Sequence, residues 1–260
     1  MIGLINFSHT EPLSMSIDRR SHVREHPRDL LNHVLDGTVD CAMVSLVSYI
    51  ENRESLSMME TANIHSRRGT LSTLLISRGK GIARDMDIAI TAHTRTTSYY
   101  LDLILSAMHI PHTDHITHST EASDLLSGST YALVIGDEAL KVFNGGYRVL
   151  MDIGYEFSRI FSMPPVYAVT VCRKDHEYPA ADFSTLQDGV HASMKFKGEA
   201  AERISGSLHV SRSVVASYYN CISYDEGISG AGKKVRGFGA MGDMVGVGDV
   251  HGRKYQVKII

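Results

Sequence analysis

Residues 2–13 read IGLINFSHTEPL. The apolar run from Ile2 to Phe7 has the length and composition of a strand buried on both faces, the kind a parallel sheet requires. It breaks at once into Ser8, His9 and Thr10, ahead of Glu11 and Pro12. In open α/β sheets ligands sit just beyond the carboxyl ends of strands, so these three side chains are the first candidates for a site. The same punctuation returns along the chain. DLLNHVLDG carries apolar residues at helical spacing and stops at Gly37, and DCAMVSL, residues 40–46, is a second buried strand that reaches Ser45. TLSTLLIS, residues 70–77, is a strand interrupted by Ser72 and Thr73. DIAITAHT follows at 87–94, and TTSYYLDLILSAM then reads as a helix with Thr96 or Thr97 at its cap. YALVIGDEAL, from 131 to 140, and PVYAVTVCRK, from 165 to 174, supply further strands, and residues 195–219 read as one or two helices interrupted at Gly206.

Alternating strands and helices place the chain in the α/β class with largely parallel sheets. A chain that crosses near residue 88 and returns near 170 makes two lobes, 1–88 with 170–260 and 89–169, and binds its ligand in the cleft between them. The length of 260 residues, 43% of them hydrophobic, is enough for such a core. The net charge of -3 provides no basic field for phosphate backbones, which argues against a nucleic-acid partner. No apolar run approaches the roughly 20 residues of a membrane span, and the N-terminus has no basic leader, so a cytoplasmic protein is expected. Cys41, Cys172 and Cys221 are odd in number and scattered, which points to buried apolar roles rather than a disulfide framework or zinc knuckle.

Four motifs invite sharper readings. His109, His112, His115 and His118 recur every third residue, but Pro111 breaks a helix there and an extended strand sends alternate side chains to opposite faces. A solvated helix-to-strand loop is the expectation, and no metal site. GFGAMG at 237–242 fits G-x-G-x-x-G, yet its flanks show neither strand nor helix, so a nucleotide role does not follow. Asp137 and Glu138 follow the buried run ALVI; Asp137 either serves a site or caps a helix starting at Glu138. Thr96, Thr97 and Ser98 open a helix just past a strand, where hydroxyls and backbone N–H groups can grip a carboxylate. Together these features describe a hydroxyl-rich cleft for a small anion, with no organic cofactor indicated.

The pieces IGLINFSHTEPL, LLNHVLDGTVDCAMVSLVSYI, the strand at 69–77, Thr97 to Leu101, IGDEAL, and MDIGYEF followed by PPVYAVTVCR form an ordered series. Over about residues 1–175 it resembles the menaquinone-biosynthesis family of the futalosine route, and within it the chorismate dehydratase branch. The resemblance implies a type II periplasmic-binding-protein fold, with two mixed sheets and a cleft, used inside the cell as an enzyme without metal or organic cofactor. The implied reaction removes water from chorismate to give 3-[(1-carboxyvinyl)oxy]benzoate. Ser8, Thr10, Ser45, Ser72, Thr73, Thr97, Ser98 and Asp137 are then substrate-binding candidates, and His9 the catalytic one. His9 stands where the family pattern YLN has Asn. Its ordinary pKa of about 6.5 suits a general base or a group orienting the leaving hydroxyl, and altered or lost dehydratase activity is the alternative. Two rivals stay open: a non-catalytic carboxylate-binding module, and an enzyme acting on another menaquinone intermediate. The glycine-rich tail, 227–252, departs from the family ending; covering the cleft, pairing two copies as a homodimer and remaining mobile are its open roles.

Overall fold

The computed structural model describes residues 1–66 and 69–224, together with the backbone of two short strands in the tail. The chain begins with β1 (Ile2–Ile5), a single 3-10 turn (Ser8–Thr10), α1 (Glu11–Ser16), β2 (His22–Glu25), α2 (Pro27–Asp36) and β3 (Cys41–Ser45). It continues through α3 (Leu46–Glu51), β4 (Leu56–Met58), β5 (Ile64–Ser66), β6 (Thr73–Ser77), β7 (Met86–Thr91) and α4 (Thr96–Ala107). Then come β8 (His112–Thr117), α5 (Ala122–Gly128), β9 (Tyr131–Ile135), α6 (Gly136–Val142), β10 (Arg148–Asp152) and α7 (Ile153–Phe161). The last elements are β11 (Val166–Arg173), α8 (Ala180–Leu208), α9 (Arg212–Cys221), β12 (Ile222–Ser223), and the hairpin strands β13 (Val247–Val250) and β14 (Arg253–Tyr255). GFGAMG lies outside the described residues, as does most of the glycine-rich tail. Of the expected terminal strand KYQVKII only Lys254 and Tyr255 fall in β14.

Two mixed sheets carry the molecule. The first runs β12-β5-β11-β3-β1-β2, with β4 also paired to β11. Here β1 is parallel to β2 and β3, while β11 is antiparallel to β3, β4 and β5. The second runs β10-β6-β9-β7-β8, with β7 parallel to β8 and β9 and β6 antiparallel to β9 and β10. The continuous apolar runs of β1 and β3 are buried as their composition requires, every residue of β1 being enclosed. One core extends across both sheets, and Tyr100 pins it: its hydroxyl donates to the Val166 carbonyl at 2.6 Å and accepts from the Val166 N–H at 3.2 Å.

The change of sheet comes earlier than residue 88. Strand β6 pairs with β9 and β10, so residues 73–77 belong to the second sheet and the chain crosses between Ser66 and Thr73. It returns between Asp152 and Val166. Asp152 ties the two crossings together. Its Oδ2 accepts from the backbone N–H groups of Thr70 (2.9 Å) and Leu71 (2.8 Å), and its Oδ1 caps α7 by accepting from Tyr155 N–H (3.1 Å). The approach leaves no room for a side chain at Gly69, where a Cβ would lie 2.8 Å from Asp152 Oδ2. It also holds Leu71 at φ +60°, a left-handed conformation uncommon for a bulky residue.

Three other expectations change. Gly206 does not interrupt a helix: α8 runs unbroken from Ala180 to Leu208 and ends where His209 turns left-handed at φ +55°. Packing against α1 outweighs the glycine cost, and at Gly189 glycine is required, because a Cβ would sit 2.7 Å from Ile17 Cγ1. The histidine stretch is not a loop but the edge strand β8; His112 and His115 lie on opposite faces and His109 sits in the preceding turn at φ +56°, so the four imidazoles do not converge. Helix α6 starts at Gly136 rather than Glu138, so Asp137 lies inside its first turn and does not cap it.

Candidate functional site

The turn Ser8-His9-Thr10 is fixed from behind by its two flanking residues. Ser8 is buried, its N–H donating to Asp137 Oδ1 across the lobes (3.0 Å) and its carbonyl accepting from the Tyr219 hydroxyl (2.9 Å). The Thr10 hydroxyl lies between the carbonyls of Ile5 (2.5 Å) and Phe7 (3.0 Å). Glu11, also buried, sits between Arg24 (2.5 Å) and Arg203 (3.0 Å), and Arg24 donates onward to the Phe7 carbonyl at 3.2 Å. Ser8, Thr10 and Asp137 therefore brace the site and do not line it. Only His9 of the three faces a cleft of about 710 Å³ between the lobes, with Phe7 edge-on to its ring at 5.7 Å.

His9 is unlike the near-neutral base its type suggests. Its Nε2 is enclosed with no hydrogen-bond partner, and burial, helped by the Arg24 charge, pushes its pKa down to about 3. The imidazole is thus neutral and weakly basic, better suited to orienting a hydrogen-bonding group than to taking a proton.

A second enclosed polar atom faces the cleft from β11. The Tyr167 hydroxyl is buried without a hydrogen-bond partner, although the Ser66, Thr73 and Thr70 hydroxyls stand around it. Burial, and then the nearby Asp152 charge, raise its pKa, so it stays a protonated donor. Thr70 and Thr73 bond to each other at 2.8 Å, and with Ser72 they line the same wall. The Thr94 hydroxyl is a third enclosed, unpartnered polar atom on the cleft.

Opposite stands the N-terminus of α4. It has no side-chain cap, which leaves the N–H groups of its first turn, at Thr96 to Ser98, without a capping acceptor. Thr97 lines the cleft. The Ser98 hydroxyl is turned back onto the carbonyls of Arg95 (3.1 Å) and Thr94 (3.4 Å). Ser45 lines the cleft too, but its hydroxyl caps α3, accepting from Ser48 N–H at 3.0 Å and donating to Ser48 Oγ at 2.7 Å. Three contacts span the lobes beside these groups: Arg95 pairs with Glu51 at 2.6 Å, Thr96 Oγ1 accepts from Val47 N–H at 3.3 Å, and the His26 and His93 rings meet edge-on at 4.8 Å.

The structure therefore gathers His9, Ser45, Ser72, Thr73, Thr97 and Ser98 around one cavity. Sequence reasoning missed Tyr167, Thr70, His26, Arg28 and His93, which line it as well. His93 was within reach, since it lies between a strand and the TTS helix start. Tyr167 was not, because a tyrosine in an apolar strand is ordinarily core.

Comparison with known proteins gives two results. The fold matches a structure of protein AF1704 from Archaeoglobus fulgidus, with TM-score 0.70 and 12% identity over 90% of this chain and 91% of that one. It also matches the periplasmic aliphatic sulphonate binding protein SsuA from Escherichia coli, with TM-score 0.65 and 12% identity over 93% and 84%. A Candida albicans gene product described as having the generic periplasmic binding protein fold matches with TM-score 0.60 and 12% identity over 99% and 97%. This chain has that periplasmic-binding-protein fold, as the sequence resemblance implied. Residues 1–232 match the family described as menaquinone biosynthesis. That span includes the whole cleft, and the chain belongs to the menaquinone-biosynthesis family.

Proposed function

We propose that the protein acts in menaquinone biosynthesis as a cytoplasmic lyase that removes water from chorismate to give 3-[(1-carboxyvinyl)oxy]benzoate. The observation that carries this reading is the pair of enclosed, unpartnered atoms, His9 Nε2 and Tyr167 Oη, on the wall of one cleft that also holds the α4 N-terminus. A buried polar group without a partner costs about 1–3 kcal/mol, so a cavity that holds this pair, with Thr94 Oγ1 beside them, is shaped for a ligand that supplies the missing bonds. Its volume of about 710 Å³ falls within the roughly 300–1,000 Å³ of small-molecule sites.

Chorismate suits these groups. It is a dianion with one free hydroxyl, and its ring becomes aromatic when the C3 proton leaves, the C3–H electrons form the C3–C4 double bond, and the C4–O bond breaks to release water. The protein's work is to hold two carboxylates and align the C4 hydroxyl. In this reading the α4 N-terminus with Thr97 binds one carboxylate. Tyr167, a neutral donor among hydroxyls, binds the other, and Arg28 at the cleft wall balances charge. His9, neutral at physiological pH, hydrogen-bonds the C4 hydroxyl and orients it for departure.

The low basicity of His9 favours one rival, a non-catalytic module that binds a small carboxylate in the same cleft. Incubation of purified protein with chorismate, followed by mass spectrometry, separates them. The lyase forms a product lighter by one water, faster than a blank. Intact chorismate together with a raised melting temperature would favour the binding module, and neither effect would remove chorismate as the ligand.

A further inference from the structure

Outside the cleft's hydroxyl wall, the histidine-rich segment leaves one cluster unexplained. On strand β8, His112 and Asp114 are two residues apart and share a face, and Asp102 comes down onto them from α4. His112 Nε2 lies 3.0 Å from Asp102 Oδ1 and 3.8 Å from Asp114 Oδ1, and one ligand atom from each residue falls within 4.8 Å of the others. Zinc-class ions take nitrogen and oxygen at roughly 2.0–2.2 Å, which separates neighbouring ligands by about 3.0 Å in octahedral and about 3.4 Å in tetrahedral geometry. The cluster therefore needs only small side-chain shifts to close on an ion.

Two further features fit a ligand set better than a plain ion pair. The side chains are 18%, 18% and 10% exposed for Asp102, His112 and Asp114, enclosed enough to be rigid yet open enough for an ion to enter. An ion pair needs one carboxylate, whereas here two converge on a single histidine.

We propose that Asp102, His112 and Asp114 bind one divalent ion of the zinc class, fastening α4 to the edge strand β8. Three side-chain donors leave positions for water, and the mixed nitrogen and oxygen set suits Zn²⁺, Co²⁺ or Mn²⁺ rather than Cu⁺ or Ca²⁺. The ion steadies the helix whose first turn lines the cleft.

The test uses the full chain, stripped with EDTA and titrated with Zn²⁺ by calorimetry and with Co²⁺ by visible absorption. One equivalent is expected to bind and to raise the melting temperature. His112→Gln and Asp114→Asn are each expected to weaken binding by at least about tenfold while leaving the metal-free melting temperature near that of the parent. Asp102→Asn, which can keep a hydrogen bond to His112, serves in place of either variant that fails to fold. Absence of saturable binding below about 100 µM Zn²⁺, or parental affinity in the folded variants, would overturn the site, because other histidines would then account for any uptake.

Discussion

Replacing Asp152 tests how the two lobes are joined. The Thr70 N–H that it accepts is buried, so Asp152→Ala strands that group at a cost of about 1–3 kcal/mol. Loss of the half-buried Leu71 bond adds about 1 kcal/mol and loss of the α7 cap about 1 kcal/mol more. Release of Leu71 from φ +60° offsets about 1 kcal/mol of this. The net is about 3 kcal/mol, which at 2–4 °C per kcal/mol for a chain of this size lowers the melting temperature by roughly 6–12 °C. Asp152→Asn keeps one acceptor oxygen, which can serve both Thr70 and Leu71 as Oδ2 does, while its N–H₂ cannot accept from Tyr155 N–H, so it should lose only the α7 cap, about 1 kcal/mol. Differential scanning calorimetry on both variants measures this. An alanine variant melting within about 2 °C of the parent would refute the clamp, because it would mean the crossing is held by packing alone.

Three further predictions concern the cleft. Tyr167→Phe removes a hydroxyl with no internal partner, so it should leave the melting temperature unchanged or slightly raised while weakening chorismate binding about tenfold by calorimetry; a clear loss of stability would show that the hydroxyl serves the fold. Between Thr97 and Ser98 the structure separates roles: Thr97→Val should weaken chorismate binding, and Ser98→Ala, whose hydroxyl is turned onto carbonyls, should change it little, both read by titration. For His9 the pKa of about 3 in the fold lies below its ordinary 6.5, so between those values the unfolded chain takes up a proton that the folded chain refuses. Stability should therefore fall as pH drops from about 6.5 towards 3, and His9→Gln should show a shallower fall in melting temperature over that window; parallel curves would contradict the enclosed, neutral imidazole.

What the sequence shows and what it hides follow from the range of the interactions. Strands β1 and β3 were legible because burial on both faces writes a continuous apolar run, and the α4 start was legible because TTS follows a strand end directly. The sheet that β6 joins was not, since its partners β9 and β10 lie more than fifty residues away and an apolar strand carries no mark of its neighbour. The clamp that fixes the crossing is likewise a contact between Asp152 and residues 70–71, and local pattern is silent about it. In the site, residue type pointed to the right place but not to each role. Ser8 and Thr10 share the strand end with His9, yet their hydrogen bonds run inward to Asp137, Tyr219 and backbone carbonyls. The low pKa of His9 depends on enclosure by distant elements and on Arg24, so the ordinary value was the only one available from sequence.

The most direct test of the central claim follows chorismate by proton NMR in the presence of catalytic amounts of the protein. The ring protons of the diene should be replaced by the pattern of a 1,3-disubstituted benzene while the enolpyruvyl vinyl protons persist, since water leaves and the ether stays. An unchanged spectrum, or release of pyruvate with a hydroxybenzoate, would contradict that claim.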